Sequence, residues 1–238
     1  MDAPTRPSAL AARLAGAAPG GALGVALALA SLLIGARPAR ADRSFSVILK
    51  GGVSIATWYG DLPTDPLFAN GSRVGVGAGV GFSFGLTRLI AVQPELLYVE
   101  KGTSLGDVTL TDAYGASTGT AHDVLAVDYI ELPVLARIAL PHARQAAPYL
   151  IVGPALGMRG AQRQKVSGDV HLSQAIRFVK DTDVGVAFGI GTEVGSGPRR
   201  FEAEARYTLG LTQATEPSYS TNARNGALLL LLGVAIHP

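Results

Sequence analysis

Cysteine is absent from this sequence, and its absence removes disulfide staples, thiolate metal sites and thiol nucleophiles together. Charge is scarce: Asp, Glu, Lys and Arg make up 16% of 238 residues, against about a quarter in ordinary soluble domains. The four histidines, His122, His142, His171 and His237, are isolated from one another, and no H-E-x-x-H pair, phosphate loop or EF-hand occurs. There is no basic run either. The pI of 9.0 owes much to Arg6, Arg13, Arg37 and Arg40, and the chain after residue 41 is close to neutral. A nucleic-acid binder needs a clustered positive face, so that class is excluded.

What the chain has in abundance is apolar residues, at 48%, and 30 glycines. The N-terminus reads as an export segment. A polar stretch with two arginines is followed by the apolar core Val25 to Ile34 and then by Arg37-Pro-Ala-Arg-Ala41. Ala39 and Ala41 supply the small-x-small pattern that a signal peptidase admits, and Pro38 stops a helix just before the cut. The apolar core is far shorter than the roughly 20 residues a helix needs to cross a bilayer. Residues 1–41 are therefore expected to be a cleaved signal peptide, with the mature domain spanning 42–238.

Beyond Ala41 the hydrophobic period is two. In Val74-Gly-Val-Gly-Ala-Gly-Val-Gly-Phe-Ser-Phe84 every even position is apolar and every odd one is Gly or Ser. A strand turns such a pattern into one greasy and one small, polar face. A helix would scatter it and lose about 1 kcal/mol at each glycine. The same alternation recurs in Val184–Val194, Phe201–Leu211 and Ala227–His237, and less cleanly in Phe45–Thr57, Leu89–Lys101, Val127–Ala139 and Pro148–Gly160. Pro94, Pro133 and Pro154 each lack a ladder donor and predict local bulges. The pattern predicts an all-β, eight-stranded antiparallel up-and-down barrel.

Which face meets water decides the class. The apolar faces are nearly free of charge, and the polar faces are rich in Gly and Ala with sparse charges, which suits a cramped eight-stranded interior. Joins 85–88, 140–147 and 195–199 are short, and they alternate with longer polar joins at 58–72, 102–124, 160–180 and 213–225. This is the arrangement of a transmembrane barrel with short periplasmic turns and long outer loops. Phe45, Phe82, Phe84 and Phe201 fall toward the short-turn rim, and Trp58, Tyr59 and Tyr98 toward the other, as expected of aromatic girdles.

Four segments carry a resemblance: Gln93-Pro-Glu-Leu-Leu-Tyr-Val-Glu-Lys-Gly102, Val127-Asp-Tyr-Ile-Glu-Leu-Pro-Val-Leu135, Tyr149-Leu-Ile-Val-Gly-Pro-Ala-Leu-Gly157 and Ala205-Arg-Tyr-Thr-Leu-Gly-Leu211. Together with Gly51-Gly-Val-Ser they resemble the PorT-like outer-membrane β-barrel family over roughly residues 45 to 236. The resemblance implies an eight-stranded barrel in the bacterial outer membrane, often of unknown function. The chain departs from usual barrels at Ala235-Ile-His-Pro238, which lacks the terminal aromatic that assembly machinery reads.

By strand parity, Glu95, Lys101, Glu131, Arg137, Arg159, Asp183, Glu193, Glu202, Glu204 and Arg206 point into the lumen. Buried charges must be paired, so these are expected to form a lumen network, with Glu193 or Glu204 partnering Arg206. Glu202 and Glu204 could instead suggest acid/base work, but no nucleophile or orienting histidine accompanies them. His171-Leu-Ser173 faintly resembles the His-x-Ser of lipid A-deacylating barrels; ordinary loop chemistry is the simpler reading.

The expected role is therefore non-enzymatic: a structural or surface-interaction barrel with four exposed outer loops and no cofactor or metal. The expected partners are outer-membrane lipid, the barrel-assembly machinery and an unidentified extracellular or periplasmic protein. A narrow pore or carrier for small solutes and a lipid A-modifying enzyme are the alternatives.

Overall fold

Alternation of apolar and small residues makes strands of this chain, and in a computed structural model those strands form one antiparallel sheet that closes on itself. The structure describes residues 45–60, 71–111, 117–141, 146–168, 172–175, 179–214 and 222–238. The expected export segment, 1–41, lies outside them. The strands are β1 (Phe45–Tyr59), β2 (Arg73–Gly85), β3 (Ile90–Thr111), β4 (Ser117–Ala139), β5 (Ala146–Gly168), β6 (Leu172–Ala175), β7 (Thr182–Val194), β8 (Arg199–Gly210) and β9 (Arg224–Ile236). Pairing β1 with β9 and β4 with β5 closes a ring of eight strands, while short β6 pairs only with the far end of β5.

Parity decides the two faces as the sequence pattern implies. Ser46, Lys50, Ser54, Gln93, Glu95 and Arg206 are buried inside. Leu49, Val76, Phe84, Leu96, Leu132, Val152, Ile190 and Leu232 are exposed outside. Exposed apolar residues recur on every ring strand, forming a belt around the wall. Soluble monomers rarely expose contiguous apolar patches beyond a few hundred Å², so this belt faces lipid. The interior is not lined by polar and small residues alone. Leu97, Val99, Leu229 and Leu231 pack inward with Ala56 and Ala227, because a lumen this narrow fills like a protein core.

Three expectations are corrected. The joins at 102–124 and 160–180 are strands for most of their length. β3 and β4 pair as far as Thr111 and Ser117, and β5 runs on to Gly168. Outside the membrane these strands no longer need an apolar face, so the alternation that marks the ring fades. Between the ring part of β3 and its extension stands Gly102, whose φ of +126° favours glycine and whose added Cβ would sit 1.9 Å from the Leu125 carbonyl oxygen.

The prolines make no bulges: paired positions resume in the same register on either side of Pro94, Pro133 and Pro154. A missing donor interrupts one bond without adding a residue. The register shifts fall instead at Ser104/Gly106, Leu110/Thr111 and Val127/Tyr129.

Finally, Trp58 is not part of an outer girdle. It sits at an inward position, buried with Leu125, Val127, Tyr129, Val179, Ala214 and Ala223 at the long-hairpin mouth. Phe45 and Phe84, by contrast, meet on the outside of the short-turn rim with ring centroids 5.3 Å apart.

Candidate functional site: the lumen charge clusters

Each inward charge is placed by strand parity, and the tilt of the strands decides which heights meet across the lumen. Two clusters result. The lower one lies toward the short turns. Lys50 Nζ on β1 is 2.8 Å from Glu95 Oε1 on β3, 3.1 Å from Glu204 Oε2 and 3.8 Å from Glu202 Oε2, both on β8. Arg206 on β8 donates to Glu204 Oε1 through Nε at 2.8 Å and Nη2 at 2.5 Å, and to Glu95 Oε2 through Nη1 at 2.6 Å. In the ring, β3 and β8 are opposite walls, so the Arg206–Glu95 pair spans the full bore.

Glu193 on β7 and Glu202 on β8 are direct cross-strand neighbours of like charge. Arg137 on β4 resolves that conflict from across the lumen, with Nη2 on Glu193 at 2.9 Å and Nη1 on Glu202. Its guanidinium also lies 3.7 Å from the centre of the Tyr149 ring. Tyr149 in turn donates to Glu204 Oε2 at 3.2 Å, and Gln93 donates to Glu95 Oε1 at 2.7 Å. At the rim, Arg200 reaches Glu193 at 2.8 Å, and His237 Nε2 stands 3.7 Å from the same carboxylate. Burial holds the His237 imidazole below its ordinary pKa.

The upper cluster is smaller. Lys101 on β3 pairs with Glu131 on β4 and lies 3.5 Å from Asp183 Oδ2 on β7. Neutral donors complete Asp183: Asn225 Nδ2 on β9 at 3.0 Å and Thr212 Oγ1 at 3.1 Å. Asn225 also donates to the Tyr129 hydroxyl at 3.2 Å, from the wall opposite β4. Between the two clusters lies the apolar layer of Leu97, Val99, Leu229 and Leu231.

Of the network read from sequence, Glu95, Arg137, Glu193, Glu202, Glu204 and Arg206 come together in the lower cluster, whereas Glu131 lies apart in the upper one. Arg206 takes Glu204 and Glu95; Glu193 goes to Arg137 and Arg200. Arg159 turns to Asp181 at the long-hairpin mouth. Lys50 was missing from the inward set, although its place on the polar face of β1 was legible. Tyr129, Tyr149 and Asn225 also escaped it, because parity marks a residue as inward but not as a donor to a charge. His142 and His171 lie outside the described residues, as does the side chain of Ser173. His122 is exposed, with its Nε2 3.2 Å from Ser104 Oγ.

Room for these long side chains comes from glycines. A Cβ at Gly191 would land 2.3 Å from Tyr149 Cζ, and one at Gly81 would press on Glu95 Cγ at 3.3 Å.

Solved structures similar to this chain include Neisserial surface protein A, which is 16% identical over 81% of this chain and 96% of its own, with a TM-score of 0.44. Outer membrane protein OprG from Pseudomonas aeruginosa is 11% identical over 83% of this chain and 99% of its own, with a TM-score of 0.44. Outer Membrane Protein W of E. coli is 11% identical over 84% of this chain and 100% of its own, with a TM-score of 0.42. No curated protein matches the sequence. The outer membrane protein beta-barrel domain matches over residues 36–216, most of the chain. The chain therefore belongs to the outer membrane protein beta-barrel domain family.

Proposed function

We propose that this protein is a closed outer-membrane barrel with a structural or surface-interaction role, displaying its long hairpins outside the cell and not conducting solutes. The observation that carries this reading is the pair of bonds that join opposite walls: Arg206 to Glu95 at 2.6 Å and Asn225 to Tyr129 at 3.2 Å. A pore needs an open axis. Here the axis is crossed at two heights by hydrogen-bonded side chains, with an apolar layer between them. In planar bilayers the refolded protein should add no discrete conductance steps. Regular single-channel openings would replace this reading with the narrow pore.

Within the family, the segments around Gln93–Gly102 and Val127–Leu135 support a PorT-like relation. Export by a signal peptide cleaved after Ala41, assembly by the barrel-assembly machinery and short turns on the periplasmic side complete the reading. Sequencing the N-terminus of the membrane-extracted protein tests the export step, with Asp42 expected as the first residue.

A further inference from the structure

On β5 the rule that even positions face out and odd positions face in breaks once. Val127 pairs with Gln162 and Tyr129 with Arg159, so Gly160 and Ala161 together stand opposite the single residue Asp128. This is a β-bulge, and it reverses the parity of everything beyond it. Below it Leu150, Val152 and Met158 are exposed on the lipid face. Above it Gln162 is buried, and Arg163, Lys165 and Ser167 are exposed. Were residues 159–165 to continue in plain alternation, Arg163 and Lys165 would point to the inner side.

The bulge therefore stacks two cations directly above the apolar column of the same strand. The uppermost apolar row is Tyr98, Ile130 and Met158, aligned by register across β3, β4 and β5. Arg163 lies roughly 15 Å beyond Met158 along the strand, at about 3.3 Å per residue. With strands tilted by about 40°, that is roughly 11 Å of height above the last apolar row, on the headgroup side of the hydrocarbon boundary.

The cations are weakly committed within the protein. The Arg163 side chain is 53% exposed, and among the described residues its one carboxylate neighbour, Asp128 Oδ2, is 3.9 Å away, beyond hydrogen-bond range. Among the described residues Lys165 has no acidic partner. Gln164, on the other side of the strand, takes up Asp123 at 2.6 Å.

We infer that Arg163 and Lys165 bind the phosphate of a lipid headgroup in the leaflet around the long hairpins. A phosphate monoester offers several acceptor oxygens to the guanidinium fork and the ammonium, and the apolar column beneath seats the acyl chains. This inference rests on the membrane reading above and adds a specific lipid site to it.

The test uses the full mature barrel refolded in neutral-detergent micelles and native mass spectrometry of bound lipid. Bis-phosphorylated lipid A, its dephosphorylated counterpart and inorganic phosphate are the probes. The phosphorylated lipid should be retained at about tenfold lower concentration than the dephosphorylated one, and added salt should narrow that gap. Arg163→Gln with Lys165→Gln should weaken retention by roughly tenfold or more. Both positions are exposed, so the Gln pair leaves the folded barrel intact.

Equal retention of both lipids would overturn the site. So would a Gln pair that binds like wild type, or competition by inorganic phosphate at the lipid's own concentration. Failure of the membrane reading is a different result: a chain that does not enter micelles or bilayers as a folded barrel at all.

Discussion

The two charge clusters of the lumen solve one problem in different ways. In the lower cluster Lys50, Arg137, Arg200 and Arg206 meet Glu95, Glu193, Glu202 and Glu204, four against four, and most of them have more than one partner. In the upper cluster, among the described residues, Lys101 alone answers Glu131 and Asp183, and Asn225 and Thr212 supply the remaining donors. The lower arrangement is redundant and balanced. The upper one hangs on a single cation and carries surplus negative charge. Desolvating an ion is costly, and only close, well-shaped pairing repays it, so the two should respond unequally to the loss of a partner.

The largest effect is expected where redundancy is least. Lys101→Met leaves Glu131 and Asp183 buried with no cation between them. It should cost close to the upper end of the 3–5 kcal/mol typical for stranding a buried charge. Arg206→Met removes more hydrogen bonds but leaves Lys50 2.8 Å from Glu95 and 3.1 Å from Glu204, so the loss should sit nearer 3 kcal/mol. Both are read from urea unfolding midpoints of the refolded barrel. A milder effect for Lys101→Met than for Arg206→Met would break the comparison.

A smaller effect probes how the lower cluster is housed. Gly191→Ala puts a methyl where Tyr149 lies, 2.3 Å from Cζ and 2.4 Å from its hydroxyl. Tyr149 must swing away from Glu204 and from the Arg137 guanidinium stacked on its ring. Overpacking of this kind costs about 1–3 kcal/mol. Tyr149→Phe in the same background should recover part of the loss, because one of the atoms in conflict is the hydroxyl. No recovery would place the strain in the ring itself, whose Cζ and Cε2 would still stand 2.3 and 2.7 Å from the added methyl.

Much of this was legible in the sequence, for a simple geometric reason. A pleated strand shows its faces with a period of two, so the sides taken by Glu95, Glu202, Glu204 and Arg206 could be read directly. Which of them would touch could not. Glu95 and Arg206 are 111 residues apart and meet only because strand tilt brings those heights of opposite walls together. Of the two partners expected for Arg206, the structure gives it Glu204, and the register keeps Glu193 away: Glu193 sits opposite Glu202, and Arg206 opposite Gly189.

The bulge at Gly160 and Ala161 was equally hidden. An extra residue shows only as a phase slip, and polar strands outside the membrane carry too little alternation to reveal one. Gln162 in and Arg163 out could be assigned only once the pairing to Val127 was known.

The sharpest prediction has the smallest effect. Glu131→Gln removes one of the two carboxylates that share Lys101 and leaves one ammonium facing Asp183 at 3.5 Å. The amide oxygen of the new side chain can still accept from Lys101, so the ammonium keeps its acceptor, and the surplus negative charge is gone. The midpoint should move by the equivalent of about 1 kcal/mol or less, in either direction, as expected when hydrogen bonding survives a change of charge. The matched change in the lower cluster, Glu204→Gln, behaves differently. It takes one charge from a balanced set and weakens the acceptor that Arg206, Lys50 and Tyr149 all use. It should cost roughly 2–3 kcal/mol, the range for charge-assisted bonds lost in a buried site. The two variants carry the same substitution chemistry on the inner wall of the same barrel, so refolding yield and detergent effects cancel between them. If Glu131→Gln proves as damaging as Glu204→Gln, the upper cluster needs both its carboxylates, and the surplus charge assigned to it is answered by a cation on residues other than those described.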